Sequence, residues 1–301
     1  MSDQPGPSYK VERFENSHIF TKHPSKTDAV VTKQKPDEGA RYERIGVLII
    51  EWDASFTGDK AMLAETDALV SVLRNTYNHS VEHLVLTGNA PYGPQEQLQA
   101  KVQALKDDFD GPLESHLLMV CYNGHGGPSS GMADPAASLV MTPRGCSIAS
   151  EPQMPHVTWK PVDEMLQDSG SDVLVILDCC SAGSAMQSPT AERLERSLRT
   201  FELMAACGPG ASTRASGYHS YTWSLTQELH AAAQLIRQSH EATVSIYALD
   251  QKLLRRASWE FGTILYNRGC ATQPRHILLA PLKTSEATSV SPEAGNAPVL
   301  P

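Results

Sequence analysis

Residues 172–183 read DVLVILDCCSAG. The unbroken apolar run Val173 to Leu177 suits a strand covered on both faces, as in parallel sheets, and it ends abruptly in two thiols and small residues. Residues 116–127, HLLMVCYNGHGG, are built the same way, an apolar run closing in a glycine-rich polar end. Four more runs follow this pattern: IGVLIIEW (45–52), VEHLVL (81–86), FELMAAC (201–207) and HILLAPL (276–282). Helical periodicity lies between them. Leu63, Thr66, Val70, Leu73 and Tyr77 mark one helix face, and Leu225, Leu229, Ala232 and Leu235 another; a further helix is expected around 160–168. Alternating strands and helices define an α/β protein. The expected architecture is a three-layer sandwich on a mainly parallel six-stranded sheet with right-handed crossovers.

The chain has 301 residues, 41% of them hydrophobic, enough for one sizeable core. Residues 1–40 and 284–301 are polar and without apolar period, so they are expected as a disordered arm and tail around one domain at 41–283. The net charge of −9 is scattered, and no Lys/Arg block interleaved with aromatics appears, which argues against nucleic acid as a partner. No apolar stretch of about 18 residues suggests a membrane partner, and the polar start lacks the core of a secretory signal. A cytoplasmic location is expected. In that setting the six cysteines (121, 146, 179, 180, 207, 270) read as thiols. None is spaced CxxC, and a Cys121/His125 pair lacks two further ligands, so no metal or other cofactor is expected.

In a parallel sheet the ligand crevice lies beyond the carboxyl ends of the strands. His125 and Cys180 both fall there, 180 − 125 = 55 residues apart, one crossover between neighbouring strands. A free thiol, with a pKa of about 8.5, is only a few per cent thiolate at neutral pH, and a nearby imidazole activates it for attack. Gly124, Gly126 and Gly127 leave space for a substrate chain, and the N–H groups of Gly126 and Cys180 are candidate donors to an oxyanion. Singly, a buried Cys is usually a small hydrophobe and a loop His is usually solvated. Their joint placement at two strand ends carries the reading.

YNGHGG and DCCSAG resemble the two signatures of the caspase-like cysteine peptidases, and ILDCCSAG is most similar to metacaspases and fungal caspase-like domains. ELMAACGPGASTRASGYHSYTWSLTQEL resembles the fungal domains as well, and the likeness spans roughly 44–283. It implies the caspase-hemoglobinase-like fold and peptide-bond hydrolysis, with Cys180 as nucleophile, His125 as base, and Gly126 with the Cys180 backbone as oxyanion hole. It also implies that Cys179 is not catalytic. Asp178 and Asp67 match the acids of a pocket for Arg or Lys before the scissile bond. Asp67 flanks the apolar helix face, where a carboxylate is expensive without a partner; a surface Asp67 and a turn-capping Asp178 are the plainer alternatives. Asn123 stands where the family often has Ser, and it either lines the pocket or ends the strand. Tyr221 and Trp223 fall where the family builds its cleft wall, and they either stack on substrate or pack in the core.

Two features depart from the family or stay open. The acids between His125 and Cys180 (Asp134, Glu151, Asp163, Glu164, Asp168, Asp172) are scattered singly, unlike a calcium loop. The connection after Gly183 carries Pro189, Arg193, Arg196 and Arg199, and self-cleavage after one of these arginines is expected from the resemblance. The alternative is a solvated helix, ERLERSLR. The resemblance also implies a role in regulated proteolysis or in cell-death or immune signalling, with a protein or peptide substrate and a regulatory protein partner. The alternative reading is a caspase-fold interaction module that works by binding.

Overall fold

The computed structural model describes residues 42–88, 91–112, 114–129, 137–145, 151, 153–186, 199–239, 243–256, 262–268 and 275–282. The expected arm and tail, Cys146, Cys270, Asp134, Pro189, Arg193, Arg196 and all of the segment ERLERSLR but its last residue, Arg199, lie outside them.

Six strands form the main sheet: β1 (Arg44–Trp52), β2 (Ser80–Leu86), β3 (His116–Asn123), β7 (Asp172–Asp178), β8 (Phe201–Ala205) and β10 (Ile264–Asn267). Their order is β10-β8-β7-β3-β1-β2, all parallel except β10, which runs antiparallel to β8. A small antiparallel sheet joins β4 (His125–Pro128), β5 (Leu139–Thr142) and β6 (Val157–Thr158). A third pairs β9 (Val244–Ser245) with β11 (Leu278–Leu279).

Strand alternation divides the core into two layers. Val47 and Ile49 of β1, Met119 and Cys121 of β3, and Leu174 and Ile176 of β7 pack under α2 (Lys60–Ser71), α5 (Tyr221–Ser239) and α6 (Ile246–Arg256). Leu48, Ile50, Val120, Tyr122, Val175 and Leu177 pack under α3 (Pro94–Phe109) and α4 (Trp159–Gln167). A short helix, α1 (Ala54–Thr57), precedes α2, which widens into a π turn over Val72–Thr76. The result is the expected three-layer sandwich.

One strand differs from expectation. The run 276–282 is not the sixth strand; that place belongs to Ile264–Asn267, a short, half-buried edge strand whose apolar signal is weak. Only Leu278 and Leu279 of the run pair at all, and the Pro281 that follows has no N–H for a ladder. Residues 275–282 act instead as a closing strap. The Arg275 guanidinium meets both oxygens of the buried Asp172 at 2.8 Å, and Tyr42 donates to the same carboxylate at 2.8 Å. The Ile277 N–H donates to the buried Glu202, and the Leu282 N–H reaches the Tyr77 carbonyl.

His79 lies under this strap, 3% exposed, with Nε2 3.3 Å from the Ala280 carbonyl. Burial pushes its pKa down to about 4. The folded value lies below the unfolded one of about 6.5, so the unfolded chain takes up the proton first as pH falls. Stability is then complete above about 6.5 and drains away towards pH 4. Acidifying from pH 7 to pH 5 should cost about 2 kcal/mol through this residue alone. Urea unfolding of wild type and His79→Gln at both pH values measures it, and an equal fall in both proteins would remove His79 as the cause.

Candidate active site

The parallel register of β3 and β7 ends with Asn123 opposite Asp178, and the Gly124 N–H adds one rung by donating to the Asp178 carbonyl at 3.0 Å. Two residues further on, each strand delivers one of the two candidate side chains, His125 on one and Cys180 on the other. His125 is not on an irregular loop, because it opens β4, opposite Thr142 of β5. The Tyr122 hydroxyl donates to the His125 carbonyl at 2.6 Å and pins that backbone. At Gly126 a Cβ would stand 2.8 Å from the Cys180 carbonyl and 2.9 Å from the Cys179 sulfur. No side chain fits there, so glycine lets the His strand lie against the Cys turn.

Alternation along β7 carries on into the two thiols. Cys179 continues the row of Val175 and Leu177 into the α3/α4 layer and is fully buried, whereas Cys180 is half-buried. Burial holds the Cys179 thiol well above its usual range, and it pushes Cys121 up to about 12 and Cys207 up to about 11. These three are packing residues with little thiolate. Beyond Cys180, Ser181 takes a left-handed φ of 58° and donates its N–H to the Ala211 carbonyl at 2.8 Å. A 3₁₀ turn, Ala182–Ala185, follows and bends the chain away from the rim.

His125 is half-buried, and its desolvation lowers the imidazole pKa below the ordinary value while the charge of Asp59 opposes the shift. Its ring is thus neutral at neutral pH and ready to accept a proton. A Cβ on Gly145 would stand 3.3 Å from the ring's Nδ1, so the turn after β5 lies against the imidazole. Asp59 caps α2, accepting from the N–H groups of Ala61 (2.9 Å) and Met62 (3.0 Å).

The acids are not all where the sequence placed them. Asp178 is buried at the strand end and accepts from the Thr222 N–H (2.9 Å), the Thr222 hydroxyl (2.8 Å) and the Thr213 hydroxyl (3.2 Å). Burial raises its pKa, and these donors oppose the rise. Asp67 is exposed on α2, and its charge acts on His83 of β2. It therefore does not join Asp178 beneath the cleft. The buried acid of α2 is Glu65, which accepts from the Gly217 N–H and the Ser220 hydroxyl. The sequence signal was available: α2 and its π turn bury Met62, Glu65, Thr66, Leu69, Val70, Val72 and Leu73, and all of these but Val72 keep the i, i+3, i+4 spacing. Of the face read as Leu63, Thr66, Val70, Leu73 and Tyr77, all but the half-buried Leu63 are buried, and Glu65 lies beside that face with Met62 and Leu69.

The remaining candidates separate clearly. The Asn123 amide donates to the Met62 carbonyl (3.3 Å) and the Thr66 hydroxyl (3.2 Å), tying the end of β3 to α2. Tyr221 is 1% exposed and lies in the core. Trp223 is half-buried and packs with Tyr218 and His219, at ring-centre distances of 4.5 and 5.6 Å. Tyr218 is 74% exposed, an aromatic that the sequence reading did not single out. Arg199 is buried, with its guanidinium on the carbonyls of Leu166 (2.9 Å), Ser169 (2.6 Å) and Gln167 at the end of α4. A cut after Arg199 would have to draw that side chain out of the fold.

No family description matches the chain, and no curated protein matches it in sequence. Solved structures do. Caspase-1 from Spodoptera frugiperda superposes with a TM-score of 0.50 at 13% identity, over 82% of this chain and 93% of that one. A Geobacter sulfurreducens protein gives 0.47 at 12% identity, over 77% and 95%. The Drosophila initiator caspase Dronc gives 0.45 at 8% identity, over 76% and 81%. The chain has a caspase-like α/β fold.

The burial pattern predicts the order in which thiols react. Brief treatment of native protein with iodoacetamide should modify Cys180 and spare Cys121, Cys179 and Cys207, as read by peptide mass mapping. Alkylation of Cys179 at a comparable rate would contradict the packing described for the turn.

Proposed function

We propose that the protein is a cysteine endopeptidase that cuts after a basic residue. The observation that carries this reading is the meeting of two neighbouring strand ends, where Gly126 lies against the Cys180 carbonyl and the Cys179 side chain, with His125 beside it on one strand and the half-buried Cys180 on the other. In the reaction, the Cys180 sulfur attacks the scissile carbonyl carbon while His125 takes the thiol proton and passes it to the leaving amine. The N–H groups of Gly126 and Cys180 face the oxygen that becomes negative. Water then attacks the thioester carbonyl, giving up a proton to His125, and the new acid leaves as Cys180 is restored.

Preference for Arg or Lys is supported by the charge of the surroundings. Asp59, Glu65 and Asp178 interact electrostatically with one another or with His125. A cation entering among them gains attraction that a neutral side chain lacks. The aromatic group Tyr218, His219 and Trp223 stands on the segment that supplies the Gly217 and Ser220 donors, and it offers a stacking surface for the substrate chain. The described residues contain no helix long and apolar enough to cross a membrane. A cytoplasmic role in regulated proteolysis, with a protein partner controlling access, accords with the resemblance at the two signatures.

A peptidyl-arginine chloromethyl ketone should alkylate Cys180 and leave the Cys180→Ala protein unmodified, and His125→Ala should lower cleavage of a peptidyl-arginine substrate by about 10²–10⁴-fold. A folded protein whose Cys180 reacts with iodoacetamide but never with the ketone would favour the interaction-module reading. Exclusive reaction with a peptidyl-aspartate ketone would overturn the basic pocket.

A further inference from the structure

Glu65 is a buried acid near the site whose carboxylate is half satisfied. The residue is 6% exposed, and Oε1 takes the Gly217 N–H. Its Oε2 is buried and finds no partner among the described residues. A buried oxygen left without a donor costs about 1–3 kcal/mol, and more when charged, so its retention calls for an explanation. The neighbours supply none from within the protein. From the end of β7 comes Asp178 and from the start of α2 comes Asp59, both acids; the segment before α5 offers the neutral donors of Gly217 and Ser220 and carries Arg214, which is exposed. Among the described residues no cation reaches Oε2.

The structure assigns to Glu65 the reading of the substrate's basic side chain, with its unpartnered Oε2 receiving an N–H of that cation beside Asp178, so that protonation of Glu65 closes the pocket to Arg. This inference rests on the peptidase reading of the site and names the residue that gives it charge selectivity. It replaces Asp67 in that role. Burial, with the charges of Asp178 and Asp59 behind it and the Gly217 and Ser220 donors opposing, raises the Glu65 pKa to about 7. Below neutrality the group is therefore an uncharged acid, with little attraction for a guanidinium. Above neutrality it is a carboxylate lacking one donor. The protonation of His125 also changes with pH, so the raw rate cannot separate the two effects.

Citrulline separates them, because it has the shape of arginine without the charge. Paired fluorogenic peptides that differ only in Arg or citrulline before the cut share every ionisation of the dyad. The ratio of their kcat/KM values should rise about tenfold from pH 6 to pH 8, following a group that ionises near pH 7. In Glu65→Gln the ratio should be low and flat, and in Asp67→Asn it should follow wild type. Glu65→Gln should also unfold at no lower urea concentration than wild type at pH 8, since it removes a buried charge. A ratio that is flat in wild type, or unchanged by Glu65→Gln, overturns the assignment while leaving the peptidase reading intact. Absence of cleavage of both peptides by folded wild type strikes the peptidase reading itself. In that event protection of Cys180 from iodoacetamide by arginine amide, measured against citrulline amide at pH 6 and pH 8, still reads Glu65. Equal protection by the two amides at pH 8 overturns it.

Discussion

The parallel register between β3 and β7 is the constraint on which the site depends. Each strand is buried on both faces, so its position is set by two packed layers and by the ladder that ends at Asn123 and Asp178. A slip of one residue would send every side chain to the opposite layer. It would put Cys179 where Cys180 now stands and bury the accessible thiol. The rigidity of the sheet is therefore spent on choosing between two adjacent, chemically identical groups. Gly126 adds the second half of the constraint by letting the neighbouring backbone close against that turn without a clash.

Asp178 connects this sheet edge to the helical layer. It ends β7 and receives the Thr222 N–H at the start of α5, so one carboxylate fixes where the strand stops and where the helix begins. The helix N-terminus favours a negative charge there, which offsets part of the cost of burying it. Asn123 does the same for β3 and α2 through neutral donors. The two residues opposite each other in the last rung thus each hold down a helix, and the helices bring Glu65 and the segment 213–220 over the strand ends.

Legibility from sequence followed the strength of each local signal. β1, β3, β7 and β8 stand out as apolar runs because burial on two faces leaves little place for polar residues, and the edge strand β2 stands out through Val81, Leu84, Val85 and Leu86. The sixth, Ile264–Asn267, lies at an edge and is half-buried along its length, so its composition hardly differs from a loop. The run 276–282 is as apolar as a strand because its residues are covered by the π turn and α6 rather than by a ladder. His125 and Cys180 were legible because two strand ends carried unusual residues at matched positions. Glu65 was not, since a charged residue on a helix is read as solvent-facing by default, and only the correct phase of the helix reveals it as buried. Asp67, at the more familiar position, proved to be the exposed one.

Asp172 sits at the opposite end of β7 from Cys180 and gathers Tyr42, from just before the first strand, and Arg275, from the closing strap. Leu282, the last described residue, is held to Tyr77 just ahead of β2, again at the starting edge of a strand. Tyr42, Arg275 and Leu282 are therefore all fixed at the edge of the sheet opposite to Cys180. The same geometry makes the strap a late event during synthesis, because its anchor on Asp172 must wait until residue 275 has left the ribosome.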